Sequence, residues 1–135
     1  MKYSQATDYA LHAMLNLVIA APDKPVGVAL LAEKLGVSQT YLSKMMTKLV
    51  KAGLIQSVSG ANGGYRLRRN QEDISFLDII HAIEGTASMF ECSLDHGSEC
   101  LIQQVVVEAE QQLEQFLRSK KIFDLAQQAK QMKAE

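Results

Sequence analysis

The stretch "LAEKLGVSQTYLSKMMTKLVKAGLI" (residues 31–55) predicts two short helices joined by a tight turn. The first helix is expected to end near Leu35, because Gly36 tolerates the left-handed backbone conformation of a helix C-terminus. Ser38 can cap a second helix, which is expected to run to about Ala52. Two helices arranged in this way form a helix-turn-helix.

The next stretch, "LIQSVSGANGGYRLR" (residues 54–68), alternates apolar and polar residues on either side of a glycine-rich turn. This alternation predicts two short antiparallel strands, and the glycines and asparagine between them suit the tip of a hairpin. A hairpin directly after a helix-turn-helix is the wing of a winged helix. The predicted fold class is therefore mainly α: a winged helix-turn-helix domain with a two-stranded wing and a long C-terminal dimerisation helix.

Helical periodicity predicts the elements on either side of this motif. The segment "SQATDYALHAMLNLVIAA" (residues 4–21) has apolar residues on two faces, which indicates burial against its own domain and against something else. The segment "SFLDIIHAIEG" (residues 75–85) predicts a short helix stopped by Gly85. The chain is expected to finish in a last short helix and a frayed tail.

A long amphipathic helix is predicted from about Glu99 to Arg118. It lies outside the small winged-helix core, so we expect its apolar stripe to pair with a partner chain. The stripe consists of Ile102, Val105, Val106, Ala109, Leu113 and Phe116. The chain is thus divided into a winged helix-turn-helix domain (1–85), a cysteine-bearing sensor loop (86–100), and a dimerisation helix with a C-terminal tail (101–135).

Length and composition limit the class of protein. A chain of 135 residues with 47% hydrophobic residues fits one globular domain with a modest core. No leader-like start is visible, and no apolar run approaches the roughly 20 residues needed to cross a bilayer. We therefore expect a cytoplasmic protein without membrane contact. In that reducing compartment, two cysteines are more often metal ligands or a redox sensor than a structural disulfide.

Charge is distributed unevenly along the chain, although the net charge is only −1. Between Lys34 and Asn70 there are seven basic residues and no acidic residue. The rest of the chain carries all fifteen acidic residues and the other seven basic ones. A basic segment within a near-neutral protein predicts a local polyanion-binding face.

The basic segment coincides with the helix-turn-helix and the wing, which predicts binding to double-stranded DNA. The start of the second helix would enter the major groove, where hydroxyl and amide groups read base edges and lysines meet phosphates. Each residue alone is as compatible with a solvated helix face or a tight turn, and Tyr41 could instead pack under the helix. The predicted DNA-contacting residues are Ser38, Gln39, Thr40, Tyr41, Ser43, Lys44, Lys48, Asn62, Gly63 and Arg66.

Both cysteines lie in "FECSLDHGSEC" (residues 90–100), with His96 midway between Cys92 and Cys100. Two cysteines are too few for a closed four-ligand metal site. Cys100 falls at the expected start of the long helix, where the helix dipole favours a thiolate, the form that binds metal or reacts with oxidants. A metal site in this loop would therefore need ligands from elsewhere in the chain.

Taken together, these segments resemble the Rrf family of bacterial winged-helix transcriptional regulators, the group that includes IscR, NsrR and CymR. The resemblance covers nearly the whole chain. It rests on "YALHAML" in the first helix, "LAEKLGVSQTYLSKMMTKLVKAGLIQSVSGANGGYRL" through the wing, "DISFLDIIHAIEG" after it, and a cysteine-bearing loop before a long helix. It implies a homodimer that binds a palindromic operator and whose long helices cross to form the dimer interface.

In cluster-binding members of that family, three loop cysteines and a non-cysteine ligand hold a [2Fe-2S] or [4Fe-4S] cluster. Cys92 and Cys100 match the first two cysteines, but Val106 stands where the third is expected. The wing also departs from the family pattern, since Ser59 takes the place of an arginine that many relatives insert into the minor groove. A relative's operator sequence therefore does not transfer to this chain.

The missing ligands are predicted to come from the N-terminal helix, within residues 4–21. Asp8 and His12 are four residues apart and project from one face, beside an apolar stripe that we assign to an interface. Some cluster-binding relatives take an acidic residue or a histidine of this region from the partner subunit. The resemblance thus implies a cluster, expected to be [2Fe-2S], held by Cys92 and Cys100 with Asp8 and His12 of the partner subunit. His96 is the rival ligand, and a simple ion pair is the alternative role for Asp8 and His12.

Three functional hypotheses follow. The first is a homodimeric DNA-binding regulator that senses redox state, iron or nitric oxide through the cluster. The second keeps DNA binding and replaces the cluster by a reversible disulfide switch between Cys92 and Cys100. For the cysteine site itself, zinc held by the two cysteines with a histidine and a carboxylate is a further possibility. The third is a small metalloprotein or enzyme that does not bind DNA. It is disfavoured, because no catalytic constellation is visible and the acid-free segment is left unexplained.

Overall fold

The computed structural model of the protein describes residues 3–20, 24–68, 70–88 and 100–134. Six α-helices, two strands and one short 3-10 helix follow one another along this part of the chain. In chain order they are α1 (Gln5–Ile19), α2 (Val28–Leu35), α3 (Gln39–Lys51), β1 (Ile55–Val58), β2 (Gly64–Leu67), the 3-10 helix (Gln71–Asp73), α4 (Phe76–Glu84), α5 (Leu101–Ser119) and α6 (Ile122–Ala134). Among the described residues, no helix combines the length and the apolar character needed to cross a membrane.

Helix α1 is the centre of the hydrophobic core. Ser4 caps it by accepting a hydrogen bond from the Thr7 backbone N–H. Ala10 and Ala13 are fully buried and, being small, let neighbouring helices approach the α1 backbone closely. Met14, also fully buried, joins residues of every other helix except α5 in one cluster. The predicted apolar stripe that faces the core therefore lies there, and it consists of Ala6, Tyr9, Ala10, Ala13, Leu17 and Val18.

The helix-turn-helix forms where the sequence predicts it. Gly36 ends α2 with a φ of 69° and a ψ of 32°, the left-handed conformation that glycine adopts without a steric penalty. The Ser38 hydroxyl oxygen accepts a hydrogen bond from the Tyr41 backbone N–H at 3.1 Å and so starts α3. Leu42 and Leu49 on the inner face of α3 are fully buried.

The wing is a two-stranded antiparallel sheet that is tied to the segment before α2. Ile55 pairs with Leu67 and Val58 with Gly64 at the two ends of the ladder. Tyr65 also exchanges two backbone hydrogen bonds with Val26, each 2.9 Å long. These two bonds hold the wing against the segment that leads into α2. The predicted winged-helix fold class is confirmed.

Helix α4 joins the wing to the C-terminal half of the core. Ser75 and Asp78 form a capping box in which each side chain accepts a hydrogen bond from the other residue's backbone N–H. Around this helix start, the Phe76 N–H donates to the Lys120 carbonyl at 2.9 Å, and the Ile122 N–H donates to the Ile74 carbonyl at 3.1 Å. The beginning of α6 is thus hydrogen-bonded to the beginning of α4.

The C-terminal helices differ in how much of them is buried. Helix α6 continues through Ala134 and buries Ile122 and Ala126 in the core against α1, so it is longer than the predicted short helix with a frayed tail. Helix α5 lies on α4 through Leu117, which packs on Leu77 and Ile80. The amphipathic pattern of α6 is weak, and for this reason its sequence alone understated its length.

Candidate DNA-binding face and sensor site

The outer face of α3 carries exposed polar and basic side chains. Thr40, Lys44 and Lys48 follow one another at four-residue spacing, so they lie along one stripe of the helix. All three are exposed, as are Gln39 and Lys51 nearby. The helix contains no acidic residue. Thr40 and the two predicted phosphate-binding lysines are therefore available together on one surface.

Three of the predicted DNA-contacting residues in α3 have evident structural contacts. The Ser38 hydroxyl caps the helix, and Ser43 is half-buried with its carbonyl accepting the Thr47 hydroxyl at 2.8 Å. The Tyr41 ring packs edge-on against the Tyr9 ring of α1, with centroids 6.0 Å apart and planes at 87°. Tyr41 thus keeps only part of its surface, 38%, for other contacts.

At the wing tip, two glycines make close backbone contacts, one within the wing and one with Val26. A side-chain carbon on Gly63 would overlap the Val58 carbonyl oxygen, and one on Gly64 would overlap the Val26 carbonyl oxygen. Gly64 also has a φ of 147°, which side chains disfavour. Asn62 is exposed at the tip. The tight tip therefore has a structural cause, and it leaves the Asn62 side chain projecting from the wing.

Arg66 lies on β2 directly opposite Gln56 of β1. With the Gln56 amide oriented so that its oxygen faces Arg66, that oxygen accepts from Nε at 2.5 Å and from Nη2 at 2.7 Å. Sequence reasoning selected Arg66 and missed Gln56. The register of the predicted hairpin could have found it, because residues directly opposite in an antiparallel pair are neighbours.

Asp8 and His12 lie on one face of α1, as predicted. The His12 Nδ1 atom is 2.8 Å from the Asp8 backbone carbonyl oxygen and 3.4 Å from its carboxylate Oδ1. A carbonyl oxygen can only accept, so Nδ1 carries the proton in this hydrogen bond, and in the neutral ring Nε2 keeps a lone pair. The two side chains are 59% and 55% exposed. The arrangement fits a metal ligand whose orientation is set by its other ring nitrogen.

The surroundings of this pair are apolar. Asp8 and His12 line a shallow groove of about 160 Å³ together with Leu11, Leu15 and residues of α4 and α6. Leu11 is 7% exposed and belongs to the same buried cluster as Ile122. The other apolar stripe of α1, formed by Leu11, Leu15 and Ile19, is thus partly covered by α6 of its own chain. A carboxylate and an imidazole remain at the open edge of an otherwise apolar surface.

Cys100 is the N-cap of α5. The residue is 8% exposed, and its sulfur accepts a hydrogen bond from the Gln103 N–H at 3.4 Å. Amide groups at a helix start favour a negatively charged sulfur. Cys92 and His96 lie outside the described residues. Within the residues described, no group of three or more His, Cys, Asp or Glu side chains is close enough to hold a metal ion.

Two contacts that sequence reasoning missed connect α1 with the parts around it. One is the edge-on contact of Tyr9 with Tyr41, described above. In the other, the Glu84 carboxylate accepts from the Ser4 backbone N–H and from the Thr7 hydroxyl, both at 2.7 Å. Glu84 is the last residue of α4, so the helix carrying Asp8 and His12 is tied to the point where the cysteine loop begins. No local pattern reveals either contact, because the partners are far apart in sequence.

Most of the apolar stripe of α5 faces outward in the single chain. Ile102, Val105 and Phe116 are 67%, 68% and 59% exposed, and Leu113 is 41% exposed. On the opposite side of the helix, Glu114 faces His81 of α4 at 4.0 Å. An exposed apolar surface of this length is uncommon in monomeric soluble proteins.

The chain matches one protein family and is similar to several solved structures. The sequence profile of Rrf2, described as "Iron-dependent Transcriptional regulator", matches residues 3–128. The IscR regulator of Aliivibrio salmonicida is 37% identical over 99 residues, which make up 73% of this chain and 57% of that protein. The chain therefore spans little more than half of that relative.

Two solved structures share the fold over nearly the whole chain. CymR, the global cysteine regulator of B. subtilis, has a TM-score of 0.81 and 29% identity, covering 94% of this chain and 97% of that one. The IscR of T. potens has a TM-score of 0.77 and 32% identity, covering 96% of this chain and 88% of that one. These similar proteins are transcriptional regulators and not enzymes.

Proposed function

Because this chain belongs to the Rrf2 family of transcriptional regulators, we propose that it acts as a cytoplasmic homodimer on palindromic operator DNA. In this proposal it senses redox state, iron or nitric oxide through an iron-sulfur cluster, expected to be [2Fe-2S]. The ligands are Cys92 and Cys100 of one subunit with Asp8 and His12 of the partner subunit. The DNA-contacting surface comprises the outer face of α3 and the tip of the wing.

The observation that carries the cluster proposal is the orientation of the exposed His12 ring by a hydrogen bond. Its Nδ1 atom donates to the Asp8 carbonyl at 2.8 Å, while the side chain remains 59% exposed on an apolar surface. A histidine that only formed an ion pair would gain a few tenths of a kcal/mol, which gives little reason for its place there. An imidazole whose ring is oriented through Nδ1 can offer its Nε2 to iron or zinc.

The dimer proposal rests on the exposed stripe of α5. Pairing with the same helix of a second chain would bury Ile102, Val105, Leu113 and Phe116, and a two-fold axis would use the same surface on both chains. The stripe starts beside Cys100, the N-cap residue of α5. A partner chain seated on it would therefore lie close to the thiol ligand. Two sites related by the dimer axis would result.

The donor set suits a [2Fe-2S] cluster, which takes four protein ligands and accepts histidine in place of cysteine. When bound, the cluster supplies a redox change whose potential is raised by histidine ligation. Cys100 would donate its thiolate, stabilised by the amides at the start of α5. The Asp8 carboxylate and His12 Nε2 would complete the set from the partner subunit. A [4Fe-4S] cluster places the same demand on the four residues.

Signal transfer to DNA has a short physical route. Asp8 and His12 flank Tyr9 in α1, and the Tyr9 ring touches the Tyr41 ring at the start of α3. A change in ligation that moves α1 would move the start of α3 with it. Operator binding by a dimer is sensitive to the spacing of its two recognition helices, so a small shift changes affinity.

A cluster-free switch is the second candidate. In it, Cys92 and Cys100 form a disulfide on oxidation and no iron is bound. The buried N-cap position of the Cys100 sulfur is the observation that favours it, because the same amides that help a metal ligand also help a reactive thiolate. A zinc site with the same four residues is the third form of the proposal.

The test is to purify the protein without oxygen and to measure iron, sulfide and the visible spectrum. The cluster proposal expects iron and sulfide with visible absorption. His12→Ala should lower or alter them, and His81→Ala, which removes the half-buried partner of Glu114, should leave them unchanged. A colourless protein that forms an intramolecular disulfide would favour the switch. An unchanged spectrum in His12→Ala would remove His12 from the ligand set.

A further inference from the structure

The wing arginine Arg66 is held by a single side chain of the opposite strand. Gln56 and Arg66 are direct partners in the ladder of β1 and β2. With the Gln56 amide turned so that its oxygen faces Arg66, that oxygen accepts from Nε at 2.5 Å and from Nη2 at 2.7 Å. Two bonds from one planar group to one oxygen fix both the position and the plane of the guanidinium.

The contact with Gln56 uses only part of the hydrogen-bonding capacity of the guanidinium. Arginine has five N–H donors, and the Gln56 oxygen uses the one on Nε and one on Nη2. Three donors remain, two of them on Nη1. A guanidinium bound in this way keeps its full charge and can still give paired hydrogen bonds to a phosphate. A carboxylate at position 56 would instead neutralise that charge.

Holding the side chain in advance matters for binding. A free arginine loses substantial rotamer freedom when it is immobilised on a ligand. If the immobilisation has already taken place in the free protein, that loss is not incurred on binding. Arg66 is half-buried. Among the described residues of the wing, it is the arginine whose guanidinium has a side-chain hydrogen-bond partner on the opposite strand.

We propose that Gln56 is a positioning residue for DNA binding: it holds the Arg66 guanidinium in the orientation that meets a phosphate beside the wing. The inference rests on the proposed DNA-binding function. Gln56 was not among the DNA-binding residues predicted from the sequence. Its contact with Arg66 would give the wing a DNA contact in a chain that has Ser59 where many relatives have a minor-groove arginine.

The test is a double-mutant cycle on DNA affinity. A labelled duplex is first selected from a random-sequence library by the wild-type protein, and its affinity is then measured over a range of salt concentrations. Gln56→Met keeps the length of the side chain and removes the acceptor. It should weaken binding about threefold to tenfold, the range expected from the cost of immobilising one long side chain. In an Arg66→Ala background, the same change should have no effect.

Salt dependence separates positioning from charge. Arg66→Ala should reduce the slope of log affinity against log salt by about 0.9, the value for one lost phosphate contact. Gln56→Met should leave the slope nearly unchanged, because the arginine still reaches the phosphate. Arg66→Lys keeps the charge without the planar fork, so it should keep the slope and remove the dependence on Gln56.

The outcomes test the positioning role of Gln56 separately from the proposed DNA-binding function. Equal losses from Gln56→Met in the wild-type and Arg66→Ala backgrounds, or no loss in either, would overturn the positioning role while leaving DNA binding intact. Failure of the wild-type protein to select or bind any duplex would overturn the proposed function itself. Thermal unfolding of each variant shows whether the wing is still folded, and the Arg66→Lys arm remains decisive if Arg66→Ala unfolds.

Discussion

The candidate DNA-binding face and the proposed sensor site differ in how much of each one chain supplies. Helix α3 and the wing are built from residues 39–67; α3 packs on α1, where Tyr41 meets Tyr9, and the wing is hydrogen-bonded to Val26. The sensor residues are split, since Asp8 and His12 lie on α1 and Cys100 begins α5. One surface is thus complete in a single chain, whereas the other is proposed to need a second chain. Substitutions can therefore break either one separately.

The largest expected effect is on the sensor side, from Cys100→Ser. Serine is a strong N-cap, so α5 should still start at Leu101 and the free energy of unfolding should change little. The sulfur ligand is lost, so we expect iron and sulfide to fall to background. Metal analysis after anaerobic purification measures this, with Cys100→Ala as the variant that removes both the ligand and the cap. Wild-type iron content in Cys100→Ser would contradict the ligand role.

The next effect is on the DNA side, from Gly64→Ala. The new methyl group would overlap the Val26 carbonyl oxygen at a residue whose φ is 147°. We expect the free energy of unfolding to fall by about 3 kcal/mol and DNA affinity to fall with it, while any bound iron is kept.

Gly60→Ala is the matched control for the wing. Gly60 has a φ of 103°, but nothing lies within 4 Å of the added carbon. Its loss of stability should be smaller, about 1 kcal/mol, because strain acts without a clash. If chemical unfolding shows equal losses of unfolding free energy in both variants, the contact with Val26 does not contribute to stability.

A smaller effect is expected from Lys48→Ala on the exposed face of α3. Removing one phosphate contact should reduce the salt slope of DNA affinity by about 0.9, with a similar loss of affinity for all sequences. Lys130→Ala, at an exposed site on α6, should leave the slope unchanged. If the two variants behave alike, α3 does not present its lysines to DNA.

The smallest effect concerns the contact that joins the two regions. Tyr9→Leu removes the edge-on ring contact with Tyr41, which is worth about 0.5–1.5 kcal/mol. We expect the ratio of DNA affinities between the cluster-loaded and stripped protein to move toward one. Gln5→Ala, which removes only the hydrogen bond to the Tyr9 hydroxyl, should leave the ratio as it is. A ratio unchanged in Tyr9→Leu would place the coupling elsewhere.

Local signals made most of the fold predictable from the sequence. Gly36, Ser38 and Gly85 mark helix ends through short-range backbone chemistry, and the structure uses each of them in that way. The structure also places Asp8 and His12 on one face of α1, as their spacing predicts. Whether they bind a cluster stays a prediction.

Contacts between distant segments could not be predicted in the same way. The bonds from Ser4 and Thr7 to Glu84 join residues about eighty positions apart, and Tyr9 meets Tyr41 only once α1 and α3 are packed. The extent of α6 was missed because its burial depends on α1 and not on its own pattern. These parts are set by tertiary packing.

The most direct test of the shared sensor site is a mixed dimer of one His12→Ala subunit and one Cys100→Ser subunit, isolated with two different affinity tags. If each site takes its cysteines from one subunit and Asp8 with His12 from the other, the mixed dimer keeps one intact site. It should then hold about half the wild-type iron per dimer, while both parent homodimers hold far less. If each site lies within one subunit, the mixed dimer has no intact site, and iron no higher than in the parents would contradict the account.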